Sequence, residues 1–166
     1  MQLTGNMFAQ LAAEMGHEIS TLPDFPAEIR APQGTLGGVS AFQVELGQEV
    51  YTSGDKADVV VAMNAAALKT QYKYAKPTAT IIIDTDSFGP NDLNKAQFET
   101  DDYLEEMGID NDRVVACPIT KMVKACLKDE NMDNKSVLKC RNMFALGLVC
   151  WLFNRDLELV NNFLRE

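Results

Sequence analysis

The sequence predicts an α/β domain built on a mostly parallel sheet, and three short apolar runs carry that reading. VVVAM at 59–63, preceded by Asp58, is suited to a strand buried on both faces, an alanine-rich helical stretch NAAALKTQYKYA follows, and ATIIID at 79–84 is a second buried strand. VVAC at 114–117 supplies a third. Strand, helix and strand in this order imply a right-handed parallel crossover. A chain of 166 residues is long enough for one ordinary domain and buries roughly two thirds of its unfolded surface.

From the amino end, Thr4 is placed to cap a helix in which Met7, Phe8, Leu11, Ala12 and Met15 form one apolar face, with Gly16 as its stop. Glu18 to Leu22 reads as a short extended piece. PDFPAEIRAPQGTLGGVS reads as a long ordered loop, which is either a linker or a segment in which Glu28 and Arg30 pair or reach a partner. Phe42, Val44 and Leu46 alternate as in a half-buried strand, and Gly47 permits a hairpin back through Glu49, Val50 and Tyr51. Asn64 is a plausible amino cap for the central helix, and Pro77 is expected to end it. At the carboxyl ends of parallel strands, where ligands commonly meet such sheets, Met63, Asn64, Asp84 and Thr85 are the candidates for an exposed functional edge. Residues 87–111, with Asp101, Asp102, Glu105 and Glu106, read as a solvated helical insertion. Ile119 to Leu127 reads as helical, 128–136 as a charged connection, and Leu138, Phe144, Ala145, Leu148, Leu152 and Phe153 as a helix beneath or beside the sheet. Trp151 either packs there or anchors an interface.

A net charge of −9 argues against capture of nucleic acid or anionic lipid, and no apolar run reaches the roughly 18–20 residues of a membrane span. Cys117, Cys126, Cys140 and Cys150 lack CxxC spacing and a histidine cluster, so reduced cytoplasmic thiols are expected rather than a metal centre. The amino end lacks the pattern of a secretory signal. His17 is the only histidine, HExxH, GxSxG and GxGxxG are missing, and GTLGG lacks the lysine and hydroxyl of a phosphate loop. No catalytic residue and no metal ligand is therefore assigned.

Several ordered blocks give the chain a specific likeness: MQLTGNMFAQ, FPAEIRAPQGTLGGVSAFQV, DVVVAMNAAALK, IIIDTDSF, DLNKAQF, VVACPIT and RNMFALGLVCWLFNR. In order and length they resemble the gamma-type domain of the alpha subunit of 2-oxoacid:ferredoxin oxidoreductases, especially those acting on 2-oxoglutarate. The combination of EIRAPQGTLGGVS with NMFALGL is the specific part. The resemblance implies a Rossmann-like three-layer domain over residues 1–166, lacking the usual first strand as though cut from a longer subunit or encoded beside its partners.

The same resemblance implies a noncatalytic structural role in thiamine-dependent oxidative decarboxylation of 2-oxoglutarate to succinyl-coenzyme A with reduction of ferredoxin. Thiamine diphosphate, magnesium, iron-sulfur clusters and coenzyme A belong to the complete complex, and none is expected to be bound by this chain alone. The partners implied are thiamine-binding alpha- and beta-type subunits or domains, ferredoxin through the complex, and a second copy of the chain. Glu28, Arg30, Gly34, Thr35, Gly37, Gly38, Ser40, Asn64, Asn142 and Met143 match the family blocks and are the candidates for an interface or ligand border. The alternative is a small-molecule module holding coenzyme A or an adenine nucleotide on the GTLGG loop and the strand ends.

Overall fold

The structure is a computed structural model and describes residues 2–25, 39–52 and 54–165. The described elements are helices α1 (Gln2–Glu14), α2 (Ala65–Gln71), α3 (Pro90–Lys95), α4 (Tyr103–Glu106), α5 (Ile119–Cys126), α6 (Asn134–Lys139), α7 (Arg141–Leu152) and α8 (Leu157–Arg165). The strands are β1 (Glu18–Asp24), β2 (Ala41–Gly47), β3 (Ala57–Ala62), β4 (Ala75–Asp84) and β5 (Val114–Cys117). They form two compact units, one from Met1–Asp24, Phe42–Gly54 and Val123–Glu166, the other from Phe25–Ala41 and Asp55–Met122.

The second unit is the parallel α/β body that the apolar runs predict. Its sheet has the order β3-β4-β5, and both pairings are parallel. Ile81 and Ile83 join Val60, Ala62, Ala65, Leu68 and Leu93 in one core cluster, while Ile82, on the opposite face by strand alternation, is buried as well. Burial on both sides is why IIID reads as an unbroken apolar run rather than an alternating one. Asn64 caps α2, its Oδ1 accepting from the Ala67 amide at 2.8 Å.

Pro77 does not end this helix. The helix stops at Gln71, a 3-10 turn covers Tyr72–Tyr74, and Pro77 lies inside β4. The register jumps there, with Ala57 opposite Ala75 but Val59 opposite Thr80. A bulged stretch tolerates a residue with no amide hydrogen, whereas a regular central strand does not. Arg113 secures the stretch, donating Nε to the Ala79 carbonyl and Nη2 to the Lys76 carbonyl, both at 3.0 Å, and Nη1 to the Tyr72 hydroxyl at 3.3 Å.

The expected solvated insertion is also different. Phe88, Leu93, Ala96, Phe98 and Ile109 are buried in the sheet's core cluster, so residues 87–111 wrap the core as well as carrying charge. Their acidic groups serve the backbone. Asp102 Oδ1 caps α4 through the Glu105 amide, and Glu106 Oε2 accepts the Glu99 amide at 2.8 Å and the Thr100 amide at 3.2 Å. Glu106 Oε1 also meets Lys69 at 3.3 Å.

In the other unit α1 packs on β1, α7 and α8. Phe8 and Leu11 of α1 join Leu146, Cys150 and Val160, with Val44 and Leu46 of β2 against them. Gly16, at φ 81°, closes α1 as its position in the sequence suggests. Thr4 is not the cap: the helix begins before it, and its hydroxyl is buried without a partner. The first strand of the expected hairpin is β2, but residues 49–51 form no strand, and the Val50 amide donates to the Glu18 carboxylate at 3.0 Å. The late apolar stretch, Leu138 to Phe153, is two helices rather than one, and a further helix follows it. α6 ends at Lys139, α7 carries Ala145, Leu146 and Cys150 inward, and α8 follows a left-handed Asn154 at φ 51°.

Candidate functional site

The carboxyl ends of β4 and β5 carry a compact polar cluster. Asp84 is the last residue of β4 and is fully buried. Its Oδ2 accepts from Thr120 Oγ1 at 3.1 Å and Ser87 Oγ at 3.3 Å, and its Oδ1 accepts from the Asp86 amide at 3.3 Å and the Thr120 amide at 3.4 Å. Asp86 Oδ2 accepts the Lys121 amide at 2.7 Å, while its Oδ1 pairs with Lys121 Nζ at 3.2 Å.

Thr120 and Lys121 lie in the first turn of α5, where amides have no intrahelical acceptor. Two carboxylates from the end of β4 thus fill the positive end of the helix that follows β5. A free helix start in this position attracts phosphate or carboxylate ligands; here the chain's own side chains already occupy it. Cys117 sits at the same edge with its Sγ 3.5 Å from Met122 Sδ. Burial, with the charges of Asp84 and Asp86 behind it, raises its thiol pKa above the ordinary value. The group is a protonated, shielded thiol rather than a nucleophile.

The edge residues therefore divide. Asn64 is exposed and Thr85 half-buried, whereas Met63 and Asp84 are buried, which corrects the expectation of four exposed groups. Of the ten interface candidates, Glu28, Arg30, Gly34, Thr35, Gly37 and Gly38 lie outside the described residues. Ser40 is exposed ahead of β2, and Asn64 serves as the α2 cap. Asn142 is half-buried in the first turn of α7, and Met143 packs against the Phe8 and Leu146 cluster. Ser40 and Asn64 belong to one unit, Asn142 and Met143 to the other. The Asp84–Thr120 cluster is the element that sequence reasoning missed; Asp-Thr-Asp-Ser after an apolar strand was its available signal.

Among the described residues no group of three or more His, Cys, Asp and Glu side chains is arranged to hold a metal ion. All four cysteines are free, Cys117 and Cys150 buried and Cys126 exposed. The described residues do not fit an iron-sulfur cluster, and the filled α5 start does not fit a coenzyme A phosphate. No described helix is long and apolar enough to cross a membrane.

The fold and this edge define a Rossmann-like α/β domain whose strand ends are closed by its own capping groups. The chain belongs to the pyruvate ferredoxin/flavodoxin oxidoreductase family, which matches it over residues 1–166. It is 39% identical over 168 residues to the 2-oxoglutarate oxidoreductase subunit KorA of Mycobacterium tuberculosis, a match spanning 100% of this chain and 25% of that protein. Among solved structures it is similar to the 2-oxoglutarate:ferredoxin oxidoreductase of Magnetococcus marinus, which was solved with 2-oxoglutarate, coenzyme A and succinyl-CoA bound. That match has a TM-score of 0.65 and 28% identity, covering 97% of this chain and 23% of the other. The gamma subunit of a keto/oxoacid ferredoxin oxidoreductase from Geobacter sulfurreducens shares the fold, with a TM-score of 0.60 at 14% identity, covering 98% of this chain and 76% of that one. The chain thus spans about a quarter of the length of the curated relative.

Proposed function

We propose that residues 1–166 act as the gamma-type domain of a 2-oxoglutarate:ferredoxin oxidoreductase and contribute structure rather than reacting groups. In this reading, thiamine-dependent decarboxylation of 2-oxoglutarate, transfer to coenzyme A and reduction of ferredoxin take place on neighbouring subunits in the cytoplasm. This chain positions those subunits, and small displacements of reacting groups are costly in rate.

The observation that carries the reading is the internal use of polar groups at the strand ends. Asp84 and Asp86 are engaged by Thr120, Ser87 and the α5 amides, and Asn64 by the α2 amide. Support for the reaction class comes from the relationship to KorA and to the Magnetococcus enzyme. The coenzyme A or nucleotide module is the weaker reading, because the helix start that best suits a phosphate is already filled.

The test is omission. Subunits encoded beside this chain, purified with and without it, are assayed for 2-oxoglutarate-dependent ferredoxin reduction. Activity is expected only with the chain present. Equal activity without it contradicts the proposal.

A further inference from the structure

Arg155 follows the turn that ends α7, and its backbone is fixed there. Asn154 is left-handed at φ 51°, and the Arg155 amide returns to the Cys150 carbonyl at 2.8 Å, which closes the helix end. The half-buried side chain reaches α1 and the turn after it. Its Cζ lies 5.9 Å from the centre of the Phe8 ring, and Nη1 meets His17 Nε2 at 2.7 Å and Met15 Sδ at 3.9 Å. A guanidinium only donates, so Nε2 is the acceptor in the contact with His17.

The other edge of the same planar fork is free of protein acceptors. Nε is buried without a hydrogen-bond partner, and Nη2 beside it makes no hydrogen bond to a described residue and is not enclosed. Among the described residues no carboxylate forms an ion pair with Arg155. The acids nearest in sequence, Glu14, Glu18 and Asp156, are exposed; Glu18 accepts the Val50 amide and Asp156 the Glu158 amide. A guanidinium withdrawn from water is ordinarily paired, and a buried N–H without an acceptor costs free energy.

We infer that the Nε–Nη2 edge of Arg155 is a binding site for a small carboxylate anion, with His17 and Phe8 holding the guanidinium in place. The two parallel N–H groups of this edge match a planar carboxylate, one oxygen to each. Glu14, Glu18 and Asp156 repel any incoming anion, and they repel a doubly charged phosphate more than a singly charged carboxylate. The partial enclosure of the edge suits a free organic acid, which reaches a half-buried fork without bringing a protein backbone to it. The site is separate from the proposed role in an assembly.

His17 is the only histidine, so its imidazole C–H signals read the opposite edge of the fork without overlap. The full chain is titrated at fixed pH with sodium acetate, with sodium chloride at equal ionic strength, and with inorganic phosphate. Acetate is expected to move the His17 signals and the Arg155 Nε–H signal saturably, chloride to move neither, and phosphate to half-saturate at a higher concentration. Arg155→Lys keeps the charge and loses the paired donors, and is expected to raise the Kd for acetate at least about tenfold. His17→Gln leaves Nη1 an acceptor and is expected to keep the Nε–H response, which separates loss of the fork from loss of the fold. Equal shifts with chloride, no saturable shift with acetate, or acetate binding that survives Arg155→Lys overturns the site. Phosphate binding tighter than acetate overturns the choice of ligand. The omission assay of the proposed function is decided independently of each of these results.

Discussion

Asp84 places a carboxylate in a fully buried position and surrounds it with donors from Thr120, Ser87 and Asp86. Removing the carboxylate leaves a buried gap and takes the acceptor from these half-buried donors. Asp84→Ala is expected to cost about 2–3 kcal/mol in urea unfolding, near the upper range for hydrogen bonds to a charged group. A cost within about 0.5 kcal/mol, the ordinary range for surface changes, would contradict the buried network. Gly5 makes a different demand. A Cβ there would fall within 2.8 Å of the Phe42 Cβ, at the root of the ring rather than its mobile tip. Alanine gains about 1 kcal/mol of helix propensity, but overpacking costs about 1–3 kcal/mol, so Gly5→Ala is expected to destabilise on thermal melting. The thiols sort by environment. Burial raises the pKa of Cys117 and of Cys150, the latter against the opposing pull of Arg155, while Cys126 is exposed. Mass spectrometry after brief iodoacetamide treatment at neutral pH is expected to find Cys126 modified ahead of Cys117 and Cys150.

The irregular start of β4 depends on one side chain from beyond the core run. Arg113→Ala removes three hydrogen bonds that hold residues 72–79, and faster amide exchange is expected there than in Ile81–Ile83. Glu106 governs the acid response of the α3–α4 segment. Partial burial pulls its pKa up, but the Glu99 and Thr100 amides and Lys69 outweigh this and leave it below its ordinary value. Its folded-state pKa is depressed, so its stabilisation is complete above the ordinary carboxylate pKa of about 4.3 and is lost as pH falls through the folded value. Glu106→Gln is therefore expected to flatten the acid limb of a stability-against-pH curve below about pH 4.3, with little change in its shape near neutrality. Strand β4 and α2 were legible because burial of Ile81, Ile82 and Ile83 on both faces leaves a continuous apolar run and because Asn64 is a cap by residue type, whereas Val59 and Val61 of β3 are half-buried and Val115 of β5 is exposed, so those strands are buried on one face only. Pro77 misled because a local breaker rule says nothing about a bulge, and a bulge is fixed by a register set between distant segments. The burial of Phe88, Phe98 and Ile109 was hidden behind neighbouring acids whose role is to bind backbone amides rather than water.

The family of the chain was legible in ordered blocks spread over most of its length, and the family match and the similar structures agree with them. The closed edge of the sheet was not legible, because it depends on Asp84 meeting Thr120 across 36 residues. That closure supports the proposed reading in which the domain contributes shape and surface and bond-making takes place on its neighbours. The direct test is turnover by the assembled complex carrying Asn64→Ala, Asp86→Asn or Cys117→Ser, three side chains of this edge that the account assigns to structure. The account predicts 2-oxoglutarate-dependent ferredoxin reduction per assembled complex within about twofold of wild type. A fall of about 100-fold or more with assembly intact, the size expected for a lost general acid or base, would contradict it.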